Sequence, residues 1–124
     1  MESLTIPGFN TAAAYSPAIR VGNMVFISGQ VPMDVSTGEV VGETIEEQTR
    51  KTFANLEHLL ESNGMGLESI AKMTIYITDI NELGVMNEVY TEIMGAHKPA
   101  RACVEVSRLA LDMKIEIEAV AVQD

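Results

Sequence analysis

Arg101 stands near the head of KPARACVEV, residues 98–106, two residues before the only cysteine, and Glu116 and Glu118 stand two apart in KIEIEAVA, residues 114–121. Strand alternation puts Arg101 and Cys103 on one side and Ala102, Val104 and Val106 on the other. A guanidinium is suited to hold a carboxylate in a two-pronged fork, and a glutamate can orient and deprotonate a water. If the four residues Leu109–Asp112 join the two strands as an antiparallel hairpin, Glu105 faces Glu116. Arg101, Cys103, Glu105, Glu116 and Glu118 then share one side. A three- or five-residue loop divides the same residues between faces, so both registers stay open. The plainer alternative is a set of strand-end charges in exposed ion pairs, each worth about 0–1 kcal/mol.

Other candidate chemistry is thinner. Nothing basic in sequence except Arg101 is near Cys103 to lower its thiol pKa, and a free cysteine more often fills a small buried space than it attacks a substrate. His58 and His97 belong to no metal-ligand spacing, so no metal is expected. There is no glycine-rich phosphate loop and no Ser–His–Asp signature. A single cysteine excludes an intrachain disulfide framework.

The balance of 18 acidic and 8 basic residues, net −10 over 124 residues, repels phosphate backbones and anionic membrane faces, and no Lys/Arg cluster interrupts it. Nucleic acid and membrane are therefore not expected partners. The N-terminus MESLTIPGFN has neither a basic leader nor a long apolar run, and no stretch reaches the roughly 18 apolar residues of a membrane span. A soluble, cytoplasmic protein is the expectation. A small anionic ligand would need a local positive pocket.

The elements that must position these groups follow from periodicity. Strands are expected at Ile19–Val21 and Met24–Ser28 around the Gly22-Asn23 turn, with a turn over Asp34–Glu39 and a short strand at Val40-Val41. A helix runs from about Ile45 to Ser62, opened by a Thr44/Glu47 capping box and closed at Asn63-Gly64. Residues 70–78, IAKMTIYIT, alternate as a strand. A second helix runs from about Glu82 to Met94, with Asp79 or Asn81 as cap and Gly95 as stop. Arg101–Arg108 and Met113–Val122 are the last strands. One domain over residues 1–124 results, of the α+β class: a sheet of about six strands with two helices on one face. The other face is left uncovered, and strands this apolar call for a second subunit there.

Several segments in order, AAAYSPAIRVGNMVFISGQVP, EEQTRKTFANLEHLLESNG, VMNEVY, KPARACVEV and KIEIEAVA, together resemble the RidA family, also called YjgF, over nearly the whole chain. The resemblance implies a chorismate-mutase-like fold assembled as a homotrimer around a central β-barrel, with a ligand pocket at each subunit interface. It implies hydrolysis of reactive 2-enamines and 2-imines, such as 2-aminoacrylate, to 2-keto acids and ammonia, without metal or cofactor. Arg101 would anchor the substrate carboxylate, Glu116 would position the attacking water, and Tyr15 would line the pocket and help place protons. Ser28, Gly29, Asn87 and the main chain of Cys103 would complete the wall, some from a neighbouring subunit.

The sequence departs from the family pattern at Ala13-Ala14, where Gly-Pro commonly precedes the tyrosine, at Ala110, usually proline, and at Ile93-Met94, usually aromatic. None of these removes a proposed catalytic group. The same pocket without turnover would make a keto-acid-binding regulatory trimer. A ribonuclease role, claimed for relatives, runs against the acidic balance.

Overall fold

In the computed structural model, which describes residues 1–124, six strands and two helices form in the order β1 (Glu2–Leu4), β2 (Ala18–Val21), β3 (Met24–Gln30), α1 (Ile45–Ser62), β4 (Ile70–Ile77), α2 (Leu83–Met94), β5 (Ala100–Glu105) and β6 (Ile115–Val122). The capping box forms as expected. Thr44 Oγ1 accepts from the Glu47 amide and the Glu47 carboxylate accepts from the Thr44 amide, both at 3.1 Å. These contacts satisfy two of the donors a helix start leaves free. Asp79 caps a short 3₁₀ turn, Ile80–Glu82, that leads into α2, and Gly95 ends α2 with a positive φ of 60°. Val40 contributes a single bridge to Met33 rather than a strand, and β1 is an addition that the sequence pattern did not single out.

The sheet order is β1-β2-β3-β6-β4-β5. Every neighbouring pair is antiparallel except β4 and β5, which run parallel. The hairpin expected between the last two strands does not form. The chain leaves β4, crosses through α2 and returns as β5 beside β4, as a parallel pair requires. After β5 it turns through a 3₁₀ segment, Ala110–Asp112, in which Leu111 and Asp112 take left-handed backbone angles (φ 53° and 54°). It then enters the gap between β3 and β4 as β6. The central position satisfies the β6 backbone on both sides, which an edge hairpin would not.

One face of the sheet is covered. Met73, Ile75 and Ile77 of β4 alternate inward with Ile115, Ile117, Ala119 and Ala121 of β6, against Phe53, Leu56 and Leu60 of α1 and Met86 of α2. The opposite face carries Val21, Met24, Phe26 and Val104, each between 41% and 48% exposed, and nothing in the chain lies over it. No helix is long and apolar enough to cross a membrane.

The loop after β3 is tied to α1 by Asn55, which is buried and donates through Nδ2 to the carbonyls of Val31 (2.9 Å) and Met33 (2.8 Å). Replacing it leaves two carbonyls without their donor. Asn55→Ala should lower unfolding stability by about 2 kcal/mol, read as a shift in the urea midpoint at fixed protein concentration.

Candidate functional site

Two groups of polar side chains form on opposite faces of the sheet. The first belongs to β5. Its parallel register sets Arg101, Cys103 and Glu105 level with Met73, Ile75 and Ile77, so these three lie on the helix side. Arg101 Nη1 donates to Asn87 Oδ1 of α2 at 2.7 Å, and its guanidinium carbon lies 4.7 Å from the centre of the Tyr90 ring. The amide and the aromatic face together hold the planar cation in place.

The other three arginines each meet a carboxylate: Arg20 meets Glu2 at 3.3 Å, Arg50 meets Glu92 at 2.7 Å and Arg108 meets Asp112 at 2.8 Å. Arg101 meets none, in a chain of net charge −10. Glu105 accepts from the Ile80 amide at 2.8 Å, which ties β5 to the turn before α2. Cys103 is half-buried, and burial pushes its thiol up more strongly than neighbouring Arg101 draws it down. That is the wrong direction for a nucleophile.

The second group lies where β3 and β6 meet. Their register slips between Ile27 and Gln30, so Ser28 and Gly29 form a bulge. The Ser28 amide donates to the Pro17 carbonyl at 3.0 Å and its hydroxyl to the Ser16 carbonyl at 2.6 Å, which clamps the bulge to the strand before it. The Glu116 carboxylate rests against Gly29, in the space a Cβ there would occupy. Burial, and then the neighbouring charge of Glu118, hold the Glu116 carboxyl above the ordinary carboxylate range. Glu118 itself accepts from the Tyr76 hydroxyl at 2.6 Å.

Tyr15 lies in the loop before β2 with its ring edge-on to Phe9, 5.7 Å between centres. Tyr15, Phe9, Pro17, Gly29, Met33 and Asn55 are among the residues around a cavity of about 260 Å³. Tyr15 and Gly29 thus border one cavity, and Gly29 in turn lies against Glu116.

The shared face expected for Arg101, Cys103, Glu105, Glu116 and Glu118 is not found. Glu116 pairs with Tyr76 and Glu118 with Thr74, on the uncovered side, while Arg101, Cys103 and Glu105 lie on the helix side. β4 stands between the two strands, and Arg101 and Glu116 are level with residues three apart on it. From strand spacing and rise, their Cα atoms are roughly 14 Å apart.

The structure thus places Ser28, Gly29 and Glu116 together at the bulge, with Tyr15 bordering the cavity that Gly29 also lines, and Arg101, Asn87 and Cys103 elsewhere. Tyr76 and Tyr90, which touch these groups, carry no signal in the sequence beyond a place in a strand and in a helix. Their hydroxyl and ring contacts follow from neighbours distant in sequence. No three His, Cys, Asp or Glu side chains converge to hold a metal ion.

A single sheet backed by two helices, with an arginine that meets no carboxylate at one edge and a half-buried glutamate at a β-bulge, defines the class. The family model described as endoribonuclease L-PSP matches residues 5–123. The chain belongs to that family, which is the RidA (YjgF) family. It is 48% identical to a RutC family protein of Pyrococcus abyssi, over 89% of this chain and 87% of that one. It is 39% identical to the 2-iminobutanoate/2-iminopropanoate deaminase of Salmonella typhimurium, over 98% of both chains. Among solved structures it is similar to Escherichia coli TdcF with bound serine, with a TM-score of 0.90, 34% identity and all of both chains covered. Relatives named as deaminases at this identity support deaminase activity at the level of the family.

A raised carboxyl pKa has a definite sign for stability. The folded chain holds the Glu116 proton more tightly than the unfolded chain. Stability therefore falls as pH rises from the ordinary glutamate value, 4.5, through the higher folded value. Glu116→Gln should be more stable than the wild type above that window and equal to it at more acid pH. Urea midpoints compared at pH 4 and pH 8 check this.

Proposed function

We propose that this protein hydrolyses 2-imino acids, the tautomers of 2-enamines such as 2-aminoacrylate, to 2-keto acids and ammonia, in pockets formed between copies of the chain in a homotrimer. One observation carries the reading: Arg101 is a fixed cation with no carboxylate partner, so a ligand carboxylate can take that place. The uncovered apolar sheet face supports association. So does the separation of Arg101 from Glu116, because neither group is a complete site alone. A second copy that covers the open face would bring the Arg101 edge of one chain to the Glu116 bulge of the next. The names of the deaminase relatives support the choice of reaction.

The chemistry then needs little machinery. Arg101, aligned by Asn87 and Tyr90, grips the substrate carboxylate and turns C2 toward the bulge. The iminium carbon is electrophilic, and positioning supplies much of the acceleration. Glu116 takes a proton from the attacking water as the C–O bond forms, leaving a neutral carbinolamine. It passes that proton to the nitrogen. The C–N bond then breaks, ammonia leaves, the hydroxyl proton goes to Glu116 and the C=O bond forms. Ammonia carries the last proton away as ammonium. A carboxyl held above its ordinary range is a stronger base toward the attacking water than an ordinary glutamate. Tyr15, Ser28 and the Gly29 backbone wall the water's side of the pocket, and the Cys103 main chain walls the Arg101 side.

Keto acid released from amino-acid-derived imines, generated in place by a coupled enzyme, is the measurement. Arg101→Ala should lower kcat/KM by roughly 30- to 1,000-fold, the loss of a charge-assisted fork worth about 2–4 kcal/mol. Glu116→Gln should lower kcat by about a hundredfold. Full activity in Arg101→Ala would remove that residue from the mechanism. Mixing tests the shared site directly. When Arg101→Ala and Glu116→Gln chains are unfolded and refolded together in equal amounts, random trimers place intact Arg101 beside intact Glu116 in about a quarter of the interfaces. Activity should return to about that fraction. If both groups served one site within one chain, mixing would restore nothing.

A further inference from the structure

On the uncovered face, Glu116 and Glu118 stand on the same side of β6, and β4 presents Tyr76 directly across from Glu116. Tyr76 does not reach its direct partner. Its hydroxyl runs diagonally to Glu118 Oε1 at 2.6 Å, within the range of about 2.5–2.7 Å for a hydroxyl donating to a charged carboxylate. Glu116 leans the other way, onto Gly29. The two carboxylates are therefore held apart by separate contacts, yet stay neighbours on one face. We propose that Tyr76 and Glu118 are a positioning pair for Glu116: the phenol fixes the Glu118 carboxylate beside it, so that its negative charge makes Glu116 a stronger base toward the attacking water. The proposal rests on the reading of Glu116 as the acid–base group, and it gives a task to two residues outside the reacting groups.

The surroundings agree. The groups that face Glu116 are Glu118 on its own strand, then Tyr76 and Lys72 on β4. β3 presents Phe26, Ser28 and Gly29, none of them charged. Lys72 is level with Val120 and lies on the far side of Glu118, sharing a shallow hollow with it, so Glu118 is the nearer charge. Lys114, at the foot of β6, is directed to Glu82 at 3.7 Å. Glu118 is the second cause, after burial, of the high position of the Glu116 carboxyl. The phenol of Tyr76 is itself pushed up, chiefly by its bond to Glu118, as expected for a proton held between the two oxygens. A strand that needed only solvent-facing polarity here would have no use for this bond.

The test uses the assembled protein with carbon-13-labelled glutamate carboxyls, and follows both titration and turnover. The signal lost in Glu116→Gln identifies Glu116. Glu118→Gln keeps an oxygen to accept from Tyr76, so the fold is retained and only the charge is lost. In that variant Glu116 should titrate at lower pH than in the wild type. The acid limb of kcat/KM should move the same way, with a several-fold lower plateau. Glu118→Asp, which restores the charge, should bring the limb back toward the wild type. In Tyr76→Phe the Glu118 carboxylate is no longer fixed, and the Glu116 titration and the acid limb should move toward those of Glu118→Gln. An unmoved Glu116 titration in Glu118→Gln, or in Tyr76→Phe, would overturn the pair. If the wild type does not accelerate imine hydrolysis at all, the reaction assignment falls, while the titrations still decide whether the pair acts on Glu116.

Discussion

A residue in a strand faces one side of its sheet or the other, and in this chain the insertion of β6 between β3 and β4 decides which side each polar group takes. β6 places Ile115, Ile117, Ala119 and Ala121 in the core. Alternation then obliges Glu116 and Glu118 to face outward. β5, added to the far side of β4 in parallel, turns Arg101 and Cys103 toward the helices. The separation of the arginine from the glutamate is thus a consequence of core packing. Moving β6 by one residue would drive Glu116 and Glu118 into the core and Ile115 and Ile117 out of it. The division of the site therefore cannot drift without loss of the fold.

Each half of the site is held by contacts that cost the core nothing. Arg101 lies at the sheet margin, where a guanidinium can lie flat on Tyr90 and reach Asn87 without being buried. Glu116 lies at a bulge, where Gly29 leaves room for a carboxylate that any side chain would displace. Bulges bend a strand and re-aim its neighbours, and this one is secured by Ser28 on the Ser16 and Pro17 carbonyls. The loop that follows is secured by Asn55. The same small set of backbone-directed bonds shapes the cavity beside Tyr15. Local geometry and reactive geometry are in this way one structure.

The uncovered face connects stability to function. Val21, Met24, Phe26 and Val104 lie there beside Tyr76, Glu116 and Glu118. Apolar side chains favour removal from water, and polar ones on the same face must then find partners. Tyr76 and Glu118 already satisfy each other, whereas Glu116 has only the glycine beneath it. An assembly that buries this face would therefore raise the influence of the charges within it, since their field is less screened once water leaves.

The local elements were legible in the sequence because their causes are local. The capping box at Thr44 and Glu47, the glycine stops, and the alternation of Met73, Ile75 and Ile77 or Ile115 and Ile117 each depend on residues a few positions apart. Arg101 also stood out as a candidate by its place at the head of an apolar strand, and Glu116 by one possible strand register and by the resemblance to the RidA family. What only the tertiary structure decided was pairing. A four-residue span between two apolar strands reads as a hairpin, but hydrogen-bond partners are chosen by which edges are free when the layers pack, and β6 found two. That choice moved Arg101 away from Glu116, gave Tyr76 to Glu118 and put Glu116 over Gly29. Each of these contacts joins residues distant in the chain, and no spacing within a single segment encodes them.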